Sequence, residues 1–325
     1  MYLEHFGFKR HPFRMAPEKD FLYMSRQHSR AFVFMDSAVW SPDSFVVISG
    51  EIGSGKTTLL KKMISNLKDS VQVFHISYTN LEGNDLFHLI MKQANIHLPD
   101  SHKAKILLAL HEHLIEMSEK GFPVLLAIDE AQNLSHDNLE DIRMLAGMEG
   151  PNGPILKVIL LGQPELKDHI YDNPQLTQRI KLFCHLGGLS EEDTKQYIHH
   201  RLNRAGFNKS ELFPDHIISK MYHESSGIPR LLNKIADGLL LCAYAEGRHY
   251  LQSKDIDELR DELLFAKDMR KTSIDKPVNN SDLLEALNRI ASSLEKIESK
   301  WVSENDDKTA EVNLFDHTKN KINRL

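Results

Sequence analysis

Between Phe45 and Leu186 short apolar runs alternate with stretches whose apolar positions recur at helical spacing. Phe45-Val46-Val47-Ile48 is the first run, and a helical pattern over 57–67 follows it. Val71-Gln72-Val73-Phe74-His75-Ile76 predicts a second strand, with helices after it over 84–94 and 103–119. Val124-Leu125-Leu126-Ala127-Ile128 is apolar without interruption and ends on Asp129-Glu130. Such a run suits a central strand buried on both faces. A helix near 138–146, a strand over 156–161 and a shorter strand over 182–185 complete the alternation. Strands that are apolar throughout, separated by helices, predict an α/β class with a parallel sheet covered by helices.

From Ser190 onward the pattern is helical only. Ser190 and Asp193 stand at capping-box spacing, and a helix is expected to run to 205 with Gly206 at its end. Pro214 opens a second helix, 230–246 forms a third ended by Gly247, and Ser253 precedes a fourth reaching 265. Beyond Ala266 the chain turns polar, and 271–281, with Pro277 and paired asparagines, reads as a linker. Leu283, Leu287, Ile290, Leu294, Ile297 and Trp301 then recur at spacings of four and three, an a/d stripe. Self-association through this stripe and packing against the body are equally open. The expected organisation is an N-terminal segment packed on the core (1–44), an α/β core (45–187) and an all-helical lid (188–265). A linker (266–281), a heptad helix (282–302) and a tail expected to be disordered (303–325) follow. No internal repeat stands out.

Hydrophobic residues at 41% and charged residues at 26% are those of an ordinary soluble protein. The formal net charge of -6 argues against a chain that coats itself in nucleic acid. Residues 1–30 are nonetheless locally basic, with Lys9, Arg10, Arg14, Lys19, Arg26 and Arg30 against Glu4, Glu18 and Asp20. That bias reads as a solvated face or as an anion-binding surface. Cys184 and Cys242 sit in apolar surroundings without C-x-x-C spacing, as reduced cytosolic thiols do. No signal-peptide pattern opens the sequence, and the longest apolar stretch, 239–245, is far short of the ~20 residues a membrane helix needs. A soluble, cytoplasmic chain is the expectation. Histidine is abundant, but His111 and His113 fall on different sides of a helix, and His199 and His200 diverge likewise. Surface histidine accounts for them better than a structural metal does.

Gly50-Glu51-Ile52-Gly53-Ser54-Gly55-Lys56-Thr57 is a complete G-x-x-x-x-G-K-[ST] loop between a predicted strand and a predicted helix, the setting the motif requires. Glycines let the backbone close around phosphates, and the helix start adds positive potential. Lys56 is placed to reach the β/γ-phosphates, Thr57 to bind Mg²⁺, and Thr58 continues the site. Asp129 at the strand tip can hold the Mg²⁺ shell, and Glu130 can polarise a water for in-line attack. The guanine signature N-K-x-D is missing; Asn233-Lys234-Ile235-Ala236 has alanine where aspartate is required, which favours ATP. Gln163 after the strand 156–161, Arg179 just before the last strand, and Arg230 at a lid-helix start occupy places where a hydrolysing switch uses polar groups. Taken singly, each reads as readily as a surface salt-bridging residue.

Together these strings resemble the AAA+ ATPases of the ExeA/GspA family of the general secretion pathway, over roughly residues 1–265. They are Tyr2-Leu3-Glu4-His5-Phe6-Gly7-Phe8 with Pro12-Phe13, Phe21-Leu22-Tyr23, the phosphate loop, Ile128-Asp129-Glu130-Ala131-Gln132, Gly162-Gln163-Pro164-Glu165-Leu166, Gln178-Arg179-Ile180 and Gly227-Ile228-Pro229-Arg230. The resemblance implies a P-loop NTPase core of the AAA+ (ASCE) kind with a helical lid. It implies Lys56 and Thr57 on phosphate and Mg²⁺, Asp129 and Glu130 as Walker B, Gln163 as sensor 1, Arg179 as arginine finger and Arg230 as sensor 2. Phe6, Phe8 and Phe13 would lie near the adenine, or form a plain core patch. Secretion members commonly continue into a membrane helix and a periplasmic peptidoglycan-binding module, which this sequence replaces with a linker and heptad helix. The function expected is a cytoplasmic ATP-hydrolysing switch, oligomeric with ATP. It would be recruited to the inner membrane by a protein partner and would support assembly of a secretion, pilus or envelope-export apparatus. The alternative is a DNA-binding regulator of transposition resembling the TnsC/TniB branch.

Overall fold

The computed structural model describes residues 2–16, 19–41, 45–67, 70–98, 102–151, 153–207 and 212–260. The linker, the heptad stripe and the tail lie outside the described residues.

Two short N-terminal helices, α1 (Tyr2–Phe6) and α2 (Arg26–Trp40), precede the sheet. The strands are β1 (Phe45–Gly50), β2 (Gln72–Ile76), β3 (Val124–Ile128), a two-residue ladder of β4 (Glu149–Gly150) and β5 (Gly153–Pro154), β6 (Leu156–Gly162) and β7 (Leu182–Leu186). Helices α3 (Lys56–Leu67), α4 (Asp85–Gln93), α5 (Lys103–Glu119), α6 (His136–Ala146), α7 (Leu166–Tyr171) and α8 (Pro174–Arg179) connect them. The five long strands are parallel in the order β2-β3-β6-β1-β7.

Alternate residues of each apolar strand serve opposite faces. Val47, Phe74, Leu126 and Leu160 join one core with side chains of α4 to α8, among them Phe87, Leu110 and Ile142. Val46, Ile48, Ala127 and Leu161 join a second core with α2 and α3, through Ala31, Met35, Leu59 and Met63. Burial on both sides is why these strands carry no polar alternation.

The lid comprises α9 (Glu191–Arg204), α10 (Asp215–Ser225), α11 (Pro229–Ala245) and a helix that begins at 253. Ser190 caps α9, its hydroxyl accepting the Asp193 N–H at 3.1 Å. Ile198, Leu202, Phe213, Ile217, Met221, Leu232, Ala236 and Leu239 are buried among these helices.

The N-terminal segment departs from the expectation that all of it packs on the core. Only α2 does so. Residues 2–13 lie on the lid: Tyr2 donates to Asp237 Oδ1 at 2.6 Å, Phe8 meets Phe207 at 5.1 Å and Phe13 meets Phe213 at 5.5 Å between ring centroids. Phe207 follows α9 and Phe213 precedes α10, and the aromatic rings of the first residues pack against them there.

Candidate functional site

Because every long strand runs the same way, the segments after β1, β3 and β6 emerge at one edge of the sheet. β1 and β3 both pair with β6, so the phosphate loop, Asp129-Glu130 and Gln163 become neighbours although they are far apart in sequence. That edge is where ligands bind in open α/β sheets.

The loop curls through positive φ at Gly53 (85°) and Gly55 (101°). Lys56 opens α3 and is 6% exposed; its Nζ donates to the Gly50 carbonyl at 2.6 Å and the Glu51 carbonyl at 3.0 Å. Burial pushes the Lys56 ammonium below its usual pKa, with Arg230 adding to the effect, while Glu130, Asp129 and Glu51 counter it. Ser54 Oγ is buried and unpartnered among the described residues. Ile52 through Thr58 line a cleft whose opposite wall is the lid, with Pro229, Arg230 and Asn233 of α11 and Tyr197 and Arg201 of α9. The lid touches the loop directly: the Arg230 N–H meets the Gly53 carbonyl at 3.3 Å, and a Cβ on Gly53 would lie 2.4 Å from Arg230 Cβ. Glu130 and Gln163 complete the floor.

Asp129 is 3% exposed, its N–H donates to the Ile76 carbonyl at 2.8 Å, and its Oδ1 accepts the Glu130 N–H at 3.0 Å. Glu130 holds a left-handed backbone (φ 53°), a conformation that costs a non-glycine residue roughly 1–2 kcal/mol. Thr79 offsets it by donating Oγ1 to the Glu130 carbonyl at 3.0 Å, and Asn133 Nδ2 approaches that hydroxyl at 3.4 Å. Gln163 Nε2 reaches Glu130 Oε2 at 3.3 Å.

The structure therefore brings Lys56, Thr57, Thr58, Glu130, Gln163 and Arg230 to one cleft, with Asp129 adjoining Glu130. Arg179 is elsewhere. It ends α8, and its guanidinium packs against Gly147 beyond α6. Phe6, Phe8 and Phe13 do not line the cleft, which corrects the adenine-side expectation in favour of a plain packed patch. Phe21, Leu22 and Tyr23 line the cleft instead. Burial and the Asp193 carboxylate push the Tyr23 phenol up to about 12.

Sequence reasoning assigned no role to His28, Tyr197 or Arg201. His28 is 3% exposed, with Nε2 3.0 Å from the Ser54 carbonyl. Arg201 sits over Phe21 at 5.0 Å and donates to Tyr197 Oη at 3.0 Å. No local spacing marks these residues, because strand order and lid packing bring them in. Of the basic N-terminal residues, Arg10 pairs with Asp20 at 3.6 Å and Arg14 lines the cleft. His111 turns to the Glu149 carbonyl and His113 to Gln72, in different directions. Cys184 is buried and Cys242 is partly exposed. No helix among the described residues is long and apolar enough to cross a membrane.

An AAA domain family model matches residues 40–170. General secretion pathway protein A of Aeromonas hydrophila is 32% identical over 259 residues, which are 79% of this chain and 47% of that protein. The chain thus spans about half the length of the curated relative it matches. Among solved structures, Cdc6p from Pyrobaculum aerophilum superposes with a TM-score of 0.58 at 18% identity, over 75% of this chain and 68% of that one. The Aeropyrum pernix ORC1 protein in complex with DNA gives 0.53 at 13%, over 88% and 82%. The Thermotoga maritima RuvB Holliday junction branch migration motor gives 0.50 at 15%, over 85% and 86%. At these identities the solved structures speak to the fold alone. The chain thus carries an AAA domain over 40–170 and, across most of its length, is similar in sequence to the general secretion pathway protein A of Aeromonas, an AAA+ ATPase of the ExeA/GspA type.

Proposed function

We propose that the chain binds and hydrolyses ATP with Mg²⁺ in the cleft between sheet edge and lid, as a nucleotide-driven switch. The observation that carries this reading is the convergence of Lys56, Thr57, Glu130, Gln163 and Arg230 on one cleft from four separate segments. The donor set suits a magnesium-bound triphosphate. Among the described residues Ser54 Oγ is buried without a partner, Thr57 lines the cleft, and one Asp129 oxygen accepts the Glu130 N–H. Thr57 and Asp129 would hold the ion, whose charge offsets that of the phosphate oxygens.

The residues' roles follow from position. Lys56 exchanges the Gly50 and Glu51 carbonyls for phosphate oxygens. Glu130 takes the proton of the attacking water, and Gln163 orients that water or the terminal phosphate. Arg230, on the first turn of α11, joins the phosphate end of the cleft to the lid, so loss of the terminal phosphate would release the lid. Glu130→Gln should keep ATP affinity while turnover falls on the order of 10²–10⁴-fold; unchanged phosphate release would remove Glu130 from this role. A folded sample without Mg²⁺-dependent ATP affinity would remove the whole reading.

Kinship with a general secretion pathway protein supports a cytoplasmic role in assembling a secretion, pilus or envelope-export apparatus, through a protein partner at the inner membrane. ATP-bound oligomers belong to this reading, with Arg179 reaching a neighbour's cleft. The DNA-regulator alternative rests partly on the basic N-terminal segment, where Arg10 is ion-paired and Arg14 lines the cleft.

A further inference from the structure

Glu130 is followed by a 3₁₀ turn over Ala131–Asn133, and Gln132 within that turn reaches in two directions. Its Nε2 lies 2.8 Å from Glu130 Oε2, and its Oε1 lies 3.0 Å from the Gln163 backbone nitrogen. A carboxylate only accepts and a peptide N–H only donates, so these neighbours fix which way the carboxamide faces. One side chain therefore ties the end of β3 to the end of β6. Gly162 leaves the space: a Cβ there would come within 3.0 Å of Gln132 Oε1 and 2.7 Å of Leu166 Cδ2. The Gln163 amide adds its bond to the same Glu130 Oε2 at 3.3 Å. Glu130 Oε1 carries no hydrogen bond among the described residues.

We propose that Gln132 is a positioning residue for ATP hydrolysis, an inference that rests on the reading of Glu130 as the base. By pinning Oε2, Gln132 leaves Oε1 as the one oxygen that takes the proton of the attacking water. The water oxygen forms its bond to the terminal phosphorus as the bond to the bridging oxygen of the nucleoside diphosphate breaks. The proton rests on Glu130, and no electrons change hands between redox partners. Glu130, in its left-handed backbone, stands at the start of the turn from which Gln132 meets its carboxylate.

The test uses the full chain and two variants. Gln132→Met keeps the side chain's length and removes both hydrogen bonds. Its kcat should fall about 10–100-fold, as loss of a catalytic group's alignment does, with KM for ATP within about twofold of wild type. Gln132→Glu keeps an acceptor for the Gln163 N–H but sets a second carboxylate beside Glu130. The acid limb of its kcat–pH profile should move up by about one unit or more, because two adjacent carboxylates hold a proton between them. A Gln132→Met kcat within twofold of wild type overturns the inference, and so does a Gln132→Glu profile that superposes on wild type. Should Gln132→Met not fold, the Gln132→Glu profile decides. Should wild type hydrolyse no ATP, the functional reading fails by itself. The clamp is then judged on the ¹³C carboxyl resonance of Glu130, assigned by its loss in Glu130→Gln. That resonance moves in the Gln132 variants if the clamp exists, and an unmoved resonance overturns it.

Discussion

His28 joins α2 to the phosphate loop through a single buried ring. Its Nε2 faces the Ser54 carbonyl, which only accepts, so that nitrogen carries the proton and Nδ1 accepts the Ser25 hydroxyl at 2.7 Å. Burial pushes the imidazole below its usual value near 6.5, while the Ser54 carbonyl and Asp193 pull it partly back. His75 and His200 are lowered too, in each case chiefly by burial. As pH falls through about 6.5 the unfolded chain takes up these protons and the folded chain resists, so stability is full above that value and is lost below it. The melting temperature should therefore fall between pH 6.5 and 5.5, as the unfolding free energy drops by up to ~1.4 kcal/mol per pH unit for each histidine. A melting temperature that stays level across that window would refute the prediction. The convergence of Lys56, Thr57, Asp129 and Glu130 was legible because a G-x-x-x-x-G-K-[ST] loop and an acidic pair at the end of an apolar strand are particular side chains at fixed spacing. His28 and Gln132 were not, since a histidine near the chain start and a glutamine after an acidic pair acquire meaning only when β1, β3 and β6 lie side by side.

The long strands and the helices between them were readable to within a residue or two, because burial on both faces forces continuous apolar runs and the helices between keep one polar side. α2 escaped that reading: Ala31-Phe32-Val33-Phe34-Met35 is apolar without a break, with Ala31, Met35, Ala38 and Val39 buried in the core and Phe32 and Phe34 packed partly against it. The short α7 and α8 carry too few turns for a period to show. The aromatic positions of the first residues announced burial but not the surface that buries them. Arg201 of α9 decides that. It is 6% exposed, donates Nε to the Pro12 carbonyl at 2.6 Å and Nη2 to the Arg14 carbonyl at 3.2 Å, and packs on Phe21. Tyr197 Oη, which accepts from Arg201, donates in turn to Asn233 Oδ1 at 2.7 Å on α11. The N-terminal strap, two lid helices and one wall of the cleft thus share a single guanidinium. Arg201→Ala should cost about 2–4 kcal/mol in urea unfolding, since two carbonyls and a buried phenol lose a charged donor. Arg201→Lys should recover only part, because an ammonium cannot reproduce the planar fork. A loss under about 0.5 kcal/mol would show that the strap is held by its aromatics alone.

At the scale of the whole molecule, the cleft is closed on one side by the lid and holds Arg230 within its own chain, while Arg179 stands apart beside Gly147. An arginine at the end of α8 that misses its own cleft has two uses open to it. It can brace α6, or it can meet the cleft of a second copy. The two differ in what a mixture of defective chains does. A Lys56→Ala subunit lacks the ammonium proposed to hold phosphate but presents an intact Arg179. An Arg179→Ala subunit keeps a complete cleft but offers nothing to a neighbour. Each should hydrolyse ATP poorly alone, and fingers acting across a junction supply on the order of 10³–10⁵ in rate. Mixed, the Arg179→Ala cleft can receive the arginine of the Lys56→Ala subunit, so phosphate release should rise well above the sum of the separate samples. The gain should vanish on dilution below the concentration at which ATP-bound oligomers persist, since it depends on association. Activity that remains additive at every mixing ratio, while both variants still assemble with ATP, would place Arg179 in the packing of α6 and α8 and leave each chain to hydrolyse alone.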